Sequence, residues 1–126
     1  MTQEDKELLL KDLCARLPYN VICQVKFKEN GKYNSKVMLL SGIFTDEAYF
    51  TTKGGSIYSN EYKPYLFPLS SMTKEQEKEY NDLNCYELGC FPHTKKALDY
   101  LIKNHFDYRY LIDDGLAIDA TGLNIY

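Results

Sequence analysis

The sequence contains no tryptophan and only two histidines. It has no apolar run as long as the roughly 18 residues that a membrane-spanning helix needs. It also lacks the phosphate-binding loop, the dinucleotide fingerprint, the zincin motif and the nucleophile elbow. The segment 119–122 departs from the Asp-Thr-Gly motif of aspartic proteases by an inserted alanine. These absences predict a non-enzymatic protein without a cofactor.

The chain has the size of one domain, because 126 residues, of which 44% are apolar, are enough to bury a substantial core. We expect a single domain over 1–126, with a helix and an antiparallel sheet in 1–72 and a helical part in 73–126. The net charge of −3 disfavours non-specific nucleic-acid binding. The acidic, polar start at 1–6 is unlike a signal peptide, so we expect a cytoplasmic protein with reduced cysteines.

Tyrosine is the most over-represented residue type, with 12 tyrosines against 6 phenylalanines. A tyrosine buries its ring while its hydroxyl stays in water, so it suits both the rim of a core and a contact surface. Both interpretations stay open at this point.

The first part of the chain alternates in the manner of a sheet. Thr2 is a helix cap, and Leu9, Leu13 and Leu17 form an apolar stripe that Leu10 and Cys14 widen. After this helix, residues 21–28 alternate between apolar and polar, and Asn30-Gly31 predicts a hairpin. The sequence predicts an α+β fold with a curved antiparallel sheet of four or five strands, which strong curvature would close into a small SH3-like barrel.

The segment Tyr62–Thr73, here called the joint, separates this sheet pattern from the helical patterns that follow. It is rich in aromatic residues, and Pro64 and Pro68 predict that it is neither an ordinary strand nor a helix. Thr73-Lys74-Glu75-Gln76 predicts a capping box at the start of the next helix. Further helices are expected after Thr94 and over 108–114.

Two sets of residue types raise the question of a metal or a catalytic thiol. Cys85, Cys90, His93 and His105 are zinc-ligand types, but their spacing does not match that of structural zinc sites. Cys90 with His93 or His105 has the composition of a catalytic pair, although nothing in the sequence shows the required geometry. A zinc-binding or thiol-dependent protein therefore remains the third functional alternative.

A cluster of lysines surrounds the predicted first hairpin, with Tyr33 among them. Basic and aromatic side chains on small barrels bind single-stranded nucleic acid, but lysines on exposed strands also prevent edge aggregation. The residues of this alternative nucleic-acid surface are Lys26, Lys28, Lys32, Tyr33 and Lys36.

Three segments of the chain form a recognisable signature in one order, namely Leu8–Tyr19, Lys63–Thr73 and Asn104–Arg109 with Gly115–Ala117. Together they resemble a group of uncharacterised small proteins that phages and prophages of gut Bacteroidales encode. In that group a glycine often stands where this chain has Asn20 and Tyr110. The resemblance implies a mobile-element origin and a bacterial cytoplasm, and it supplies no catalytic residues.

We therefore expect a small non-enzymatic accessory protein that binds another protein, such as a host factor, a defence component or a copy of itself, and that does not enter the membrane. Nucleic acid is the less favoured partner. The residues expected to form the protein-binding surface are Tyr62, Tyr65, Phe67, Tyr108, Arg109 and Tyr110.

Overall fold

The N-terminal helix forms as expected. The computed structural model describes residues 2–44, 47–84 and 94–126, and α1 spans Gln3–Arg16. The Thr2 hydroxyl accepts the N–H of Asp5 at 3.1 Å, and the Asp5 carboxylate accepts the N–H of Thr2 in return at 3.2 Å. This capping box satisfies two backbone donors that the first turn leaves free.

The buried face of α1 is narrower and more polar than its leucine stripe predicted. Leu9 and Leu13 are buried, and so are Asp12 and Arg16. Cys14 is exposed, so the prediction that it widens the apolar stripe was wrong. Asp12 and Arg16 lie four residues apart on the core side, and they occupy the contact area that a wider apolar stripe would need.

Seven strands form one sheet, in the order β4-β3-β2-β1-β5-β6, with β7 also paired to β5. Neighbours from β4 through β5 are antiparallel, whereas β6 and β7 pair with β5 in parallel. The strands are β1 (Ile22–Glu29), β2 (Lys32–Ile43), β3 (Ala48–Thr52), β4 (Gly55–Ser59), β5 (Glu61–Pro68), β6 (Phe106–Asp107) and β7 (Ile118–Asp119). The chain therefore has the expected α+β fold.

The first hairpin is confirmed at Asn30-Gly31. Both residues have positive φ, 52° and 78°, as a two-residue turn between twisted strands requires. The expected closure into a barrel is wrong, because the sheet stays open and β4 pairs with β3 alone. β1 pairs with β5 only from Cys23 to Lys26, whereas it pairs with β2 as far as Glu29, so its second half has a strand on one side only.

The joint begins as a regular strand, which corrects the prediction from its prolines. Its first residues belong to β5, and Leu69–Ser71 form a short 3₁₀ turn after it. Proline has no N–H to donate, and Pro64 is the last residue of β5 that pairs with β1. Beyond it β5 changes partners, since Tyr65-Leu66 pair with β7 and Phe67-Pro68 pair with β6.

β5 also separates two hydrophobic clusters, because successive side chains of a strand point to opposite faces. Leu66 belongs to the larger cluster, which α1, the inner face of the sheet and residues 111–117 form. Phe67 packs against the smaller cluster, which is centred on Tyr80, Leu101 and Phe106. The joint therefore holds the sheet half and the helical half together, as its position in the sequence indicated.

The C-terminal helices begin at the expected caps. α2 spans Lys74–Asn84 after a capping box between Thr73 and Gln76, and α3 spans Lys95–Lys103 after Thr94. None of the helices within the described residues has the length and apolarity that crossing a bilayer requires.

The helix expected over 108–114 does not form, and turns occupy this segment. The Asp107 carboxylate nevertheless acts as a cap, because it accepts the N–H groups of Leu111 and Ile112, both at 2.9 Å. Tyr110 has φ of 57°, which interrupts a right-handed helix.

Asn20 and Tyr110 adopt the left-handed backbone conformation that glycine favours. Asn20 has φ of 58° directly before β1, and Tyr110 has φ of 57°. Asparagine tolerates this region, whereas a tyrosine costs roughly 1–2 kcal/mol there.

We predict that Leu66→Asp unfolds the protein. Leu66 is fully buried, and an unpaired carboxylate at this position costs at least about 4 kcal/mol, a large share of the stability of a typical domain. Lys63→Asp, at an exposed position of the same strand, is the matched control, with an effect of about 0.5 kcal/mol. Chemical denaturation measures both, and a Leu66→Asp protein as stable as the control would contradict the prediction.

Candidate functional site

The joint contributes little accessible surface to the predicted protein-binding site. Tyr65 is 6% exposed, and Tyr62 is half-buried against Phe50, with ring centroids 5.2 Å apart. Phe67 packs between Phe106 and Tyr126, at centroid distances of 6.3 and 5.9 Å. These three aromatic residues therefore serve the core, and only the partly open edges of Tyr62 and Phe67 are available to a partner.

The second half of the predicted site forms a polar cluster with the N-terminal helix. The Tyr108 hydroxyl accepts a hydrogen bond from Nε of Arg109 at 3.0 Å, and the guanidinium groups of Arg109 and Arg16 lie 4.9 and 5.5 Å from the Tyr108 ring centroid. Tyr110 is 44% exposed. Of the six predicted residues, Tyr110 therefore offers the most accessible side chain.

Arg16 is the centre of this cluster and is completely buried. Its Nε donates to Oδ2 of Asp12 at 2.7 Å, and its Nη2 donates to the Phe106 carbonyl at 2.6 Å. The other Asp12 oxygen lies 3.4 Å from Nε of Arg109. One carboxylate therefore faces two guanidinium groups, and the pairing compensates part of the cost of burying these charges.

Two of the three signature segments, Leu8–Tyr19 and Asn104–Arg109, meet in this ion cluster. Among the described residues, Nη1 of Arg16 and Oδ1 of Asp12 are buried without a hydrogen bond. The contact between Arg16 and the Phe106 carbonyl joins residues that are 90 positions apart. The arrangement can clamp the start of the chain to the segment after α3. Its contacts tie α1 to the segment that follows α3.

His105 stacks on the C-terminal tyrosine. Its ring centroid lies 3.7 Å from that of Tyr126, and the two planes differ by 10°. The Tyr126 hydroxyl accepts the N–H of Ile22 at 3.0 Å and donates to the Tyr65 carbonyl at 2.7 Å. Burial lowers the pKa of His105 from 6.5 to about 4, and the nearby Arg16 charge adds to this effect.

The metal and thiol candidates lie mostly outside the described residues, because Cys85, Cys90 and His93 fall in the range 85–93. Within the described ranges, no group of three or more metal-ligand side chains comes together. Burial raises the pKa of the Cys23 thiol, which lies in the core, so this thiol stays protonated.

The predicted lysine surface is divided between the two faces of the first hairpin. Lys28 is paired with Tyr33, and its Nζ lies 5.8 Å from the Tyr33 ring centroid, while Lys26 shares that face. Lys36 is opposite Val25, whose side chain points into the core, and Lys32 is opposite Glu29. Facing residues share one side of a sheet, so the four lysines do not form one continuous basic surface.

An aromatic patch that the sequence analysis did not single out lies on the solvent-facing side of the sheet. It consists of Phe44, Tyr49 and Tyr58, here called the aromatic patch. The Tyr58 ring centroid lies 5.8 Å from that of Phe44 and 4.9 Å from that of Tyr49. Phe44 and Tyr58 are 54% and 56% exposed.

The aromatic patch exists because β3 and β4 place their tyrosines on the same face. Tyr49 and Tyr58 are directly opposite in the ladder, while Phe50 and Ile57 face the core. Gly42 lies beneath them, where an added Cβ would be 3.6 Å from Cβ of Tyr49 and 3.7 Å from the Phe44 ring. The alternation within Ala48–Thr52 and Gly55–Ser59 was the sequence signal for this pairing.

Two adjoining grooves border the aromatic patch. The larger, of about 900 Å³, lies along the N-terminal half of α1 and the start of β5 and reaches Phe44. The smaller, of about 520 Å³, lies between β1 and β4 and reaches Tyr58. Lys26, Glu47, Asn60 and Glu61 line both grooves.

The chain matches no protein-family model, no curated protein and no solved structure.

We predict that His105 makes the protein less stable as the pH falls from 6.5 towards 4. In this window the unfolded chain takes up a proton at His105 that the folded protein does not bind, so protonation favours unfolding. His105→Asn suits the φ of 63° at this position and removes the titration. Melting temperatures between pH 4 and 7 should depend less on pH in the variant, while equal pH dependence in both proteins would contradict the prediction.

Proposed function

We propose that the chain is a small non-enzymatic accessory protein of phage or prophage origin, which acts in the bacterial cytoplasm by binding another protein. The exposed aromatic patch on the sheet carries this proposal. Its candidate partners are a host factor, a defence component or a second copy of the chain.

The aromatic patch has the composition of a binding-energy centre. Tyrosine and other aromatic residues are enriched at protein interfaces and among the residues that contribute most to affinity. Phe44 and Tyr58 each leave more than half of their surface exposed. The neighbouring grooves supply concave surface on either side of the patch.

Charge supports a protein partner more than nucleic acid. The chain carries a net charge of −3, and Lys26 and Lys32 are opposite Glu61 and Glu29 in the sheet. Acids at these positions weaken the positive potential that phosphate binding requires. Single-stranded nucleic acid therefore remains the alternative partner and becomes an outcome of the experiment below.

We predict that a double substitution, Tyr49→Ser with Tyr58→Ser, removes partner binding. Affinity capture from the native host with the wild-type protein identifies the partner, and titration with that partner measures the loss. Two hot-spot residues contribute at least about 2 kcal/mol, which corresponds to at least about 30-fold in affinity. Because the cross-strand pair stabilises the sheet by about 1 kcal/mol or less, the variant should remain folded.

The matched control is Tyr110→Gly, which removes another exposed tyrosine and suits the positive φ at this position. It should retain wild-type affinity. Loss of binding in this control, with binding kept in the double variant, would move the site to the C-terminal segment. Salt-sensitive capture of nucleic acid in place of a protein would contradict the proposed function and support the alternative.

A further inference from the structure

β4 is a sheet edge without the usual protection. It pairs with β3 alone, and its five residues, Gly55–Ser59, include neither a charged residue nor a proline. Natural edge strands are commonly very short or carry lysine or proline, which prevents pairing with another chain. β6 and β7 are very short, with two residues each. Among the described strands, β4 is therefore the edge strand that lacks these protective features.

The hydrogen-bonding pattern shows which backbone groups of β4 are free. Thr52 and Gly55 flank a two-residue turn, so they form a hydrogen-bonded pair, and every second pair after them does the same. Ile57 and Ser59 therefore bond to β3. The N–H and C=O groups of Ser56 and Tyr58 therefore point away from β3, on the free edge of β4, and Tyr58 lines the smaller groove.

The same alternation holds across β1, where two independent contacts verify it. The Leu40 N–H donates to the Val21 carbonyl at 2.9 Å. This bond indicates that the backbone groups of the odd-numbered residues of β1 point towards β2, and those of the even-numbered residues point away from it. The Lys26 carbonyl points the other way and accepts from the Ser59 hydroxyl at 2.6 Å. Lys28 lies two residues further, so its backbone groups also face the smaller groove.

The smaller groove therefore has a free strand edge on each side. The contact between Ser59 and Lys26 joins β1 and β4 at one end, and the groove lies between Phe27-Lys28 and Ile57-Tyr58. A second copy that paired through its own β4 would bring its β3 into the space of the β1–β2 hairpin. The geometry consequently admits a lone strand and disfavours another sheet.

The side chains around the groove define the chemistry of that strand. Lys26 and Lys28 are balanced by Glu47 and Glu61, so the lining carries no net charge. Phe27, Ile57 and Tyr58 provide apolar contact, on both faces of the sheet. Because successive side chains of a strand point to opposite faces, a mainly apolar strand would place apolar side chains on both faces of the sheet.

We propose that this groove is a strand-addition site, which takes one extended, uncharged and mainly apolar peptide segment of a partner protein, about as long as β4. The proposal rests on the proposed function and specifies its binding mode. The inserted segment bonds to the backbone of Ser56 and Tyr58, as in other complexes in which a peptide extends a sheet. The aromatic patch contacts the partner residues that flank the segment.

Proline at position 56 tests the backbone contact without altering the aromatic patch. Ser56→Pro removes an N–H on the free edge of β4, two residues from the groove residue Tyr58, and leaves the hydrogen bonds to β3 in place, as proline on an edge strand permits. Ser56→Thr is the matched control, because it keeps the N–H and favours a strand. The melting temperatures of both variants establish that they are folded.

The probe is a display library of random linear peptides, selected on the wild-type protein. We expect enriched peptides that are uncharged and mainly apolar. They should bind Ser56→Thr as they bind the wild type and bind Ser56→Pro at least tenfold more weakly. In the wild type, the bound peptide should slow hydrogen exchange at the amides of Ser56 and Tyr58. This second measurement needs no variant.

Three results would overturn the strand-addition site: no enriched peptide, equal affinity for the proline and threonine variants, or unchanged exchange at both amides. The proposed function is tested by a different experiment, because it depends on the side chains of Tyr49 and Tyr58. A protein partner that is lost with the double tyrosine variant but binds Ser56→Pro normally would leave the proposed function intact and contradict strand addition.

Discussion

The buried guanidinium of Arg16 is the constraint on which the rest of the structure depends. A charge with no exposure to water requires a counter-charge and hydrogen-bond acceptors in fixed places. Asp12 supplies the counter-charge from the same helix. The Phe106 carbonyl, 90 positions further along the chain, supplies a hydrogen-bond acceptor. The position of the N-terminal helix therefore depends on the segment after α3, which supplies one of the hydrogen-bond acceptors of its buried charge.

β5 transmits this constraint to the sheet. Its first half pairs with β1, and its second half pairs with β6, whose Phe106 holds Arg16. The apolar side chains of β5 are divided between the two hydrophobic clusters. The aromatic residues of the joint therefore pack in the interior and hold the two clusters together. The aromatic patch lies on the solvent-facing side of the sheet, beside the unprotected edge of β4.

Local signals in the sequence predicted the local structure well. The caps at Thr2, Thr73 and Thr94 and the turn at Asn30-Gly31 each depend on residues within one turn of chain, so they can be identified without the fold. The segment 108–114 was misread because Asp107 makes the same hydrogen bonds as a cap, while the positive φ of Tyr110 prevents a helix from following.

Features that depend on distant residues were not predictable. The sequence shows neither that Arg16 would be buried nor that Pro64 would end one pairing and allow β5 to begin another. The same holds for the aromatic patch, because Phe44 joins two tyrosines that meet only once β3 and β4 are paired. Alternation indicates that a residue faces outward, but the identity of its neighbours on that face is decided by register and curvature.

A double-mutant cycle between Asp12 and Arg16 tests the central claim most directly. The free energy of unfolding is measured by chemical denaturation for Arg16→Met, Asp12→Leu and the double variant. Asp12→Leu leaves the buried guanidinium without its counter-charge and should cost about 3–5 kcal/mol. Arg16→Met leaves the Asp12 carboxylate paired with Arg109 alone and should cost less. The double variant should be more stable than the sum of the single losses predicts, by more than about 1 kcal/mol. Losses that add within about 0.5 kcal/mol would contradict the claim that the buried Arg16 guanidinium depends on its pairing with Asp12.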